Sequence, residues 1–359
     1  MTPASLDLSV VIPVYNGGKT IRRCLLSLHE ALTRAGISRE ILVIDDASRD
    51  RSAKVVDGLT REIPGLRLLR HKKNLGCGPA RNFGVAEARG EFLWFVDADD
   101  VVSVAGFAGL DFKTETSGCD VLFFRYAHVL EKNGSVLPWD DYDGRIFMAC
   151  PKSGFSAEDY PAVIVSSHAL WFKWFRRDSV SRAGMVFPST YVNSDHPFTI
   201  ANLCAARRMR FLDRELYVYR FDASSISRVL DERRLSFLSA LECTEQWLRE
   251  RGIDGGRLAA FHISKAHLLL LHFRHSGPHW ESHLRGVMES YLASLDREMV
   301  LRLAENELLL PELKARLLEI HRLDPVLTSK TLALRSSLGK LWQRLRGNFT
   351  VSASQPTLS

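Results

Sequence analysis

Residues 91–100 read Glu-Phe-Leu-Trp-Phe-Val-Asp-Ala-Asp-Asp, five consecutive apolar residues running into three carboxylates. A short apolar run without alternation is the pattern of a strand buried on both faces, and such strands belong to parallel sheets covered by helices. Upstream the pattern recurs as LSVVIPV (8–14), EILVIDD (40–46) and LRLLR (66–70). Between these runs, residues 19–34 place Ile21, Leu25, Leu28 and Leu32 at helical spacing. Ser48 and Asp50 open a second helix with Val55, Val56 and Leu59, and GPARNFGVAEA (78–88) reads as a third. Strands alternating with helices predict βαβ units with right-handed crossovers. The expected fold class is α/β, with a Rossmann-like, mixed but mostly parallel sheet flanked by helices.

The rest of the chain qualifies that picture. Residues 119–225 read as mixed, with CDVLFFRYAHV (119–129) and RFLDRELYVYRF (210–221) as the clearest strands. From 229 onward the pattern is helical, punctuated by Gly255-Gly256, Gly277-Pro278 and Pro311. Three segments are expected: an α/β domain over 1–228, a helical domain over 229–324, and a tail over 325–359. With 359 residues, 46% hydrophobic and 25% charged, the chain has the composition of a globular protein of about two domains.

Composition excludes several classes. Gly 23 and Pro 13 rule out a collagen-like or low-complexity chain, and six scattered cysteines with no CxxC pair argue against a zinc ribbon, redox motif or disulfide scaffold. A reducing, cytoplasmic setting is expected. The N-terminal MTPASLDLSVV lacks the pattern of a signal peptide, and no run of 18 apolar residues offers a membrane span. The net charge of +6 is concentrated after Asp324, where Lys330, Arg335, Lys340, Arg344 and Arg346 meet no acid. A near-neutral body is not a nucleic-acid reading surface. Leu332, Leu334, Leu338, Leu341, Trp342 and Leu345 form an apolar stripe among those cations, which suits peripheral contact with an anionic membrane or a last helix packed on the body.

In open parallel sheets, ligands bind beyond the carboxyl ends of the strands. Four polar clusters occupy such ends: Tyr15-Asn16-Gly17, Asp45-Asp46, His71 to Arg81, and Asp97-Ala98-Asp99-Asp100. All four are predicted to converge on one crevice. Carboxylates at the end of an apolar strand repel unless a cation or hydrogen-bond donors compensate. Mg2+ takes one or two carboxylates plus phosphate oxygens, so Asp97-Ala98-Asp99 reads as a cation site completed by a substrate. The plainer reading is a solvated turn, with Asp100 capping the next helix.

VVIPVYN, VIDDASRDRS, NLGCGPARNFG and FVDADD, in this order, resemble the nucleotide-sugar-binding half of family 2 glycosyltransferases with the GT-A fold. The resemblance covers residues 8–125 and continues more weakly through WFKWFRRDSVSRAGMVFPSTYVNSDHPF (171–198), making 126–222 the acceptor half. It implies that Pro13 and Tyr15 flank the nucleoside, with Asn16 in the same donor set. Asp46 would accept a hydrogen bond from the base, and Arg81 would neutralise the diphosphate. Asp97 would face the ribose side, and Asp99 would hold Mg2+ or Mn2+. Asp195 would be the general base. The family usually has Glu-Asp at this last position, whereas this chain has Ser194-Asp195. Asp195 also reads as an N-cap of the helix HPFTIANLCAA, and the two roles are compatible because a helix N-terminus favours a carboxylate.

Other residues divide between roles. Asp45 reads as structural. The glycines of NLGCGPARNFG read as permitting close backbone approach, since no Gly-Lys-Ser/Thr follows to make a P-loop. Lys173 and Arg176-Arg177 read either as contacts to diphosphate or acceptor or as a solvated basic face. His275, His279 and His283 are four apart, but Gly277-Pro278 interrupts the helix and argues against a zinc site.

The resemblance implies an inverting, metal-dependent transferase. It would move a sugar from a nucleoside-diphosphate sugar, a UDP-sugar by preference, to a glycan or lipid-linked saccharide in bacterial surface-polysaccharide assembly. It would work in the cytoplasm, at the inner face of the plasma membrane. The alternatives are a sugar nucleotidyltransferase, for which TyrAsnGlyGlyLysThr is a poor phosphate loop, and a non-catalytic nucleotide- or glycan-binding protein. The absence of a Gln-x-x-Arg-Trp motif argues against a processive polymerase. The oligomeric state carries no sequence signal.

Overall fold

In the computed structural model the described residues are 6–130, 134–137, 139, 141–221, 232–275 and 278–322. The basic tail lies outside them. Alternation begins at once: β1 (Leu8–Val14), α1 (Ile21–Arg34), β2 (Arg39–Asp45), α2 (Ser52–Leu59), β3 (Leu66–Arg70), α3 (Cys77–Glu87) and β4 (Phe92–Phe95). Then come β5 (Val101–Val102), α4 (Phe112–Thr116), β6 (Val121–Leu130), β7 (Val136–Leu137) and α5 (Asp141–Ala149). They are followed by β8 (Lys173–Arg176), α6 (Arg177–Ala183), α7 (Asp195–Ala205), β9 (Met209–Phe221) and α8 (Ser236–Glu250).

The strands form one nine-stranded sheet in the order β3-β2-β1-β4-β8-β6-β9-β5, with β7 on β6. β1 to β4 run parallel, with Val14 opposite Asp45 and Val11 opposite Phe95. β8 runs antiparallel between β4 and β6, β9 is parallel to β6, and β5 closes antiparallel on β9. The expected mixed, mostly parallel sheet is therefore present. β4 is shorter than the apolar run suggests, because the chain turns at once into the acids.

Burial explains why these residues make these elements. β1 is buried over nearly its whole length because helices cover both faces, which is why it has no polar alternation. α1 buries Ile21, Cys24, Leu25, Leu28, Ala31 and Leu32, one stripe of a 3.6-residue period. α3 lies so close to the sheet that a Cβ on Gly84 would stand 2.3 Å from Val11 Cγ1. In the far half of the sheet the core is aromatic: Trp94 meets Trp174 edge-on at 5.9 Å and Tyr217 at 6.3 Å, and its indole N–H donates to the Trp171 carbonyl at 2.6 Å.

The chain divides into two compact units, with the boundary between Phe261 and His262 inside α9 (Gly255–Arg274). The second unit continues with α10 (Pro278–Ser294), α11 (Arg297–Glu305) and α12 (Pro311–Ile320). There His262 Nδ1 lies 2.7 Å from the Tyr291 hydroxyl, and His267 Nε2 accepts from the Leu310 N–H at 3.3 Å. Burial lowers the His267 pKa to about 4, which suits an acceptor ring nitrogen. Among the described residues, no helix is long and apolar enough to cross a membrane.

Candidate active site

The loops after β1 and β2 are stitched together. Asn16 takes a left-handed backbone (φ 54°), its N–H donates to Ser48 Oγ at 2.9 Å, and its Oδ1 accepts from the Arg49 N–H at 2.9 Å. Beside it Tyr15 is 48% exposed, while Pro13 is partly buried.

The two acids after β2 have different partners. Asp45 is fully buried, accepting from the Ser48 N–H at 3.0 Å and Arg70 Nε at 3.1 Å, so it braces the turn, as expected of a structural residue. Asp46 grips the loop after β3. Its carboxylate lies 2.6 Å from His71 Nδ1 and accepts from the N–H groups of Leu75 at 2.9 Å and Gly76 at 2.7 Å.

From that loop α3 starts, after Gly76 at φ 93°. One turn in, Arg81 donates through Nη2 to Asp97 Oδ1 at 3.1 Å. Its Nε is buried and has no acceptor among the described residues. Burial works against the guanidinium charge, but Cys77, Asp97 and Asp195 outweigh it and hold the group above its ordinary value.

At the acidic turn, Asp97 is about one-third exposed, and its N–H donates to the Tyr217 hydroxyl at 3.2 Å. Asp99 is exposed, and its carbonyl accepts from Arg23 Nη2 at 2.9 Å. Asp100 does not cap a helix. It is buried, accepting from the Tyr217 hydroxyl at 2.6 Å and the Arg220 N–H at 2.7 Å, and the short strand β5 follows it. Burial pushes its carboxyl well above the usual range, and the charges of Asp97 and Asp99 add to the effect.

Asp195 is the first residue of α7. Ser194 stands at the cap position and makes no side-chain cap bond, and Asp195 lies in the first turn. Burial raises the Asp195 pKa and Asp97 adds to it, while Arg81, the residue's own N–H and Lys173 pull it down. The Cys77 thiol reports the same gathering. Desolvation by the surrounding groups pushes it up to about 11 although the residue reaches the surface, with Asp97, Asp195 and Asp46 adding and Arg81 opposing. Asp46, Arg81, Asp97 and Asp195 thus share one electrostatic neighbourhood, although they come from four separate segments of sequence.

Of the basic residues of 173–177, Lys173 feels the charge of Asp195, while the two arginines are not part of the gathering. Lys173 is buried, donating to the carbonyls of Ser167 at 2.7 Å and Ala169 at 2.6 Å with its ammonium 3.4 Å from the centre of the Phe172 ring. Arg176 pairs in register with Phe92 at the opposite end of β4, bonding the Cys119 carbonyl at 2.8 Å. Arg177 bonds the Gly90 carbonyl at 2.9 Å. The antiparallel direction of β8 carries these arginines away from the strand ends that bear the acids.

Three site residues had no sequence reading: Tyr217, which holds the acidic turn, and Asn82 with Phe187. Asn82 donates through Nδ2 to the Phe187 carbonyl at 2.8 Å and accepts from the Phe187 N–H at 2.9 Å. The signal was its place beside Arg81, since neighbouring positions on a helix point about 100° apart and serve different partners.

A sheet of this order, with an acidic turn and a separate carboxylate gathered at its strand ends, is of the GT-A type. The crystal structure of S. aureus TarS 1-349 in complex with UDP-GlcNAc shares the fold, with a TM-score of 0.69 over 92% of each chain at 19% identity. The family model described as Glycosyl transferase family 2 matches residues 9–132. The uncharacterized glycosyltransferase YibD of Escherichia coli (strain K12) is 29% identical over 235 residues, covering 64% of this chain and 65% of YibD. The succinoglycan biosynthesis protein ExoO of Rhizobium meliloti (strain 1021) is 26% identical over 282 residues, 74% of this chain and 76% of ExoO. The match to YibD thus spans just under two thirds of that protein's length. Residues 9–132 are thus similar to glycosyltransferase family 2, carried on a GT-A-type fold.

Proposed function

We propose that this protein transfers a sugar from a UDP-sugar to a hydroxyl of a glycan or lipid-linked saccharide, inverting the anomeric centre. The observation that carries the reading is Arg81, an always-charged group with an unmatched buried N–H, in the field of both Asp97 and Asp195. A leaving diphosphate needs a cation, and an attacking hydroxyl needs a base on the other side of the sugar. Arg81 and Asp195 are chemically suited to those two tasks.

A carboxyl held above its ordinary value is a better base near neutral pH than a solvated one, and Asp195 has this property. A single carboxylate there means one in-line displacement and therefore inversion. That distinguishes the arrangement from a two-carboxylate retaining site. Pro13, Tyr15 and Asn16 would border the nucleoside. Asp46 would shape the base pocket through the loop it grips, and Asp97 would face the ribose side.

Among the described residues, no group of three or more His, Cys, Asp or Glu side chains stands ready to cage an ion. The exposed Asp99 with Asp97 beside it suits a Mg2+ or Mn2+ whose other ligands are phosphate oxygens. When bound, that ion would neutralise charge on the diphosphate, and Asp99 would hold it. The donor class is supported by the UDP-GlcNAc bound to TarS, and polysaccharide assembly by the name of ExoO. Work at the inner face of the plasma membrane is supported by the clustering of charge after Asp324.

A thermal-shift screen of UDP-, GDP- and dTDP-sugars with and without Mn2+ tests the donor, since a ligand that binds only the folded state raises Tm. UDP-sugars should give the largest shift, and Asp99→Asn should abolish its dependence on Mn2+. Asp195→Asn should keep the shift and lose transfer by about 100-fold or more, the range of general-base loss. Transfer by that variant within about tenfold of wild type removes Asp195 from the base role.

A further inference from the structure

The side-chain amide of Asn82 pairs with both main-chain groups of Phe187, as a neighbouring strand would, with bonds of 2.8 and 2.9 Å. Phe187 is buried, and its ring stacks on Phe198 with centroids 4.0 Å apart and planes 11° apart. It also meets Phe95 edge-on at 5.3 Å, and the Arg81 guanidinium lies over it at 5.7 Å. Phe198 sits on α7, three residues after Asp195, so the two share one side of the helix. Next door the backbones touch: a Cβ on Gly78 would stand 2.3 Å from the Pro188 carbonyl oxygen.

We propose that Asn82 is a positioning residue that sets Asp195 against Arg81, by clamping Phe187 and through its ring the first turn of α7. Arg81 and Asn82 are consecutive on α3, so one helix addresses the donor side with one residue and holds the base-bearing segment with the next. Phe187 is the shared element, since its backbone is held by Asn82 while its ring lies between Arg81, Phe95 and Phe198. Displacing it moves the base relative to the leaving group while the donor's own contacts stay in place. An error of about 1 Å in such placement costs on the order of 100-fold in rate. The inference rests on the reading of Asp195 as the base and adds the device that aims it.

Two measurements on the full chain test it. In steady-state transfer, Asn82→Ala should keep the donor KM within about threefold and lower kcat by about 30-fold or more. Asn82→Asp keeps only the bond from the Phe187 N–H and should fall between. In the Asp195→Asn background the Asn82→Ala change should cost nothing further, because residues acting as one unit are non-additive. In hydrogen exchange, Asn82→Ala should speed exchange across 185–198 and leave 8–14 and 92–102 unchanged. A kcat within threefold of wild type, a loss that adds to that of Asp195→Asn, or unchanged exchange across 185–198 overturns the proposal. If no donor supports transfer by the wild type, the functional reading fails instead, and exchange alone decides the clamp.

Discussion

Arg81 donates to Asp97 across 3.1 Å, so the helix after β3 and the acidic turn after β4 are joined by one charged hydrogen bond. The planar guanidinium has further N–H groups to offer a diphosphate while it keeps Asp97, whereas an ammonium is a point charge without that fork. Arg81→Lys should therefore weaken UDP binding by about tenfold and transfer by more. Titration calorimetry with UDP reads the first and a transfer assay the second. Unchanged affinity would exclude Arg81 from the diphosphate site.

The raised pKa of Asp195 has two consequences with defined signs. With Asp195 as the proposed base, the acid limb of kcat should lie above the ordinary carboxylate range. Arg81→Gln should move it higher still, because Arg81 holds that pKa down. For stability, the native carboxyl keeps its proton to higher pH than in the unfolded chain. Its contribution is then fully present below the ordinary carboxylate range and fades as pH rises through the native value. The Tm of Asp195→Asn relative to wild type should accordingly increase between about pH 4 and pH 8. A difference independent of pH would contradict the shift.

Tyr217→Phe removes one hydroxyl that both donates to Asp100 at 2.6 Å and accepts from the Asp97 N–H at 3.2 Å. Leaving buried partners unmatched costs about 1–3 kcal/mol. At about 2–4 °C per kcal/mol for a domain of this size, Tm should fall by several degrees. An unchanged Tm would show that the acidic turn holds itself.

Two glycine-to-alanine changes should move stability in opposite directions. Gly84→Ala sets a methyl 2.3 Å from Val11 Cγ1 and 3.0 Å from Ile44 Cδ1, an overpacking that costs about 1–3 kcal/mol. Gly58, in α2, has nothing within 4 Å of the same methyl, so Gly58→Ala should gain up to about 1 kcal/mol of helix propensity. Urea midpoints with unchanged m-values check both.

Much of the parallel half of the sheet could be read from sequence because its signals are local. β1 to β4 announce themselves as apolar runs, and α1 as a stripe from Ile21 to Leu32. The acids at their ends follow from strand direction alone. What stayed hidden depends on pairing at long range. Nothing near Asn82 points to Phe187, 105 residues away, and nothing near Asp100 points to Tyr217. The antiparallel direction of β8 decides that Arg176 and Arg177 face away from the acids, and strand direction cannot be read from WFKWFRR.

The bond between Asp100 and Tyr217 also dictates an order of assembly. Asp97, Asp99 and Asp100 leave the ribosome together, but the residues that shield Asp100 lie on β9, with Tyr217 following it by 117 positions. β5, which follows the acids, likewise waits for Val218 and Tyr217 to pair with. Until β9 is made, Asp100 stands beside Asp97 and Asp99 without the partners that bury it. β1 to β4 can form early, but the acidic turn is completed only when translation has passed Phe221.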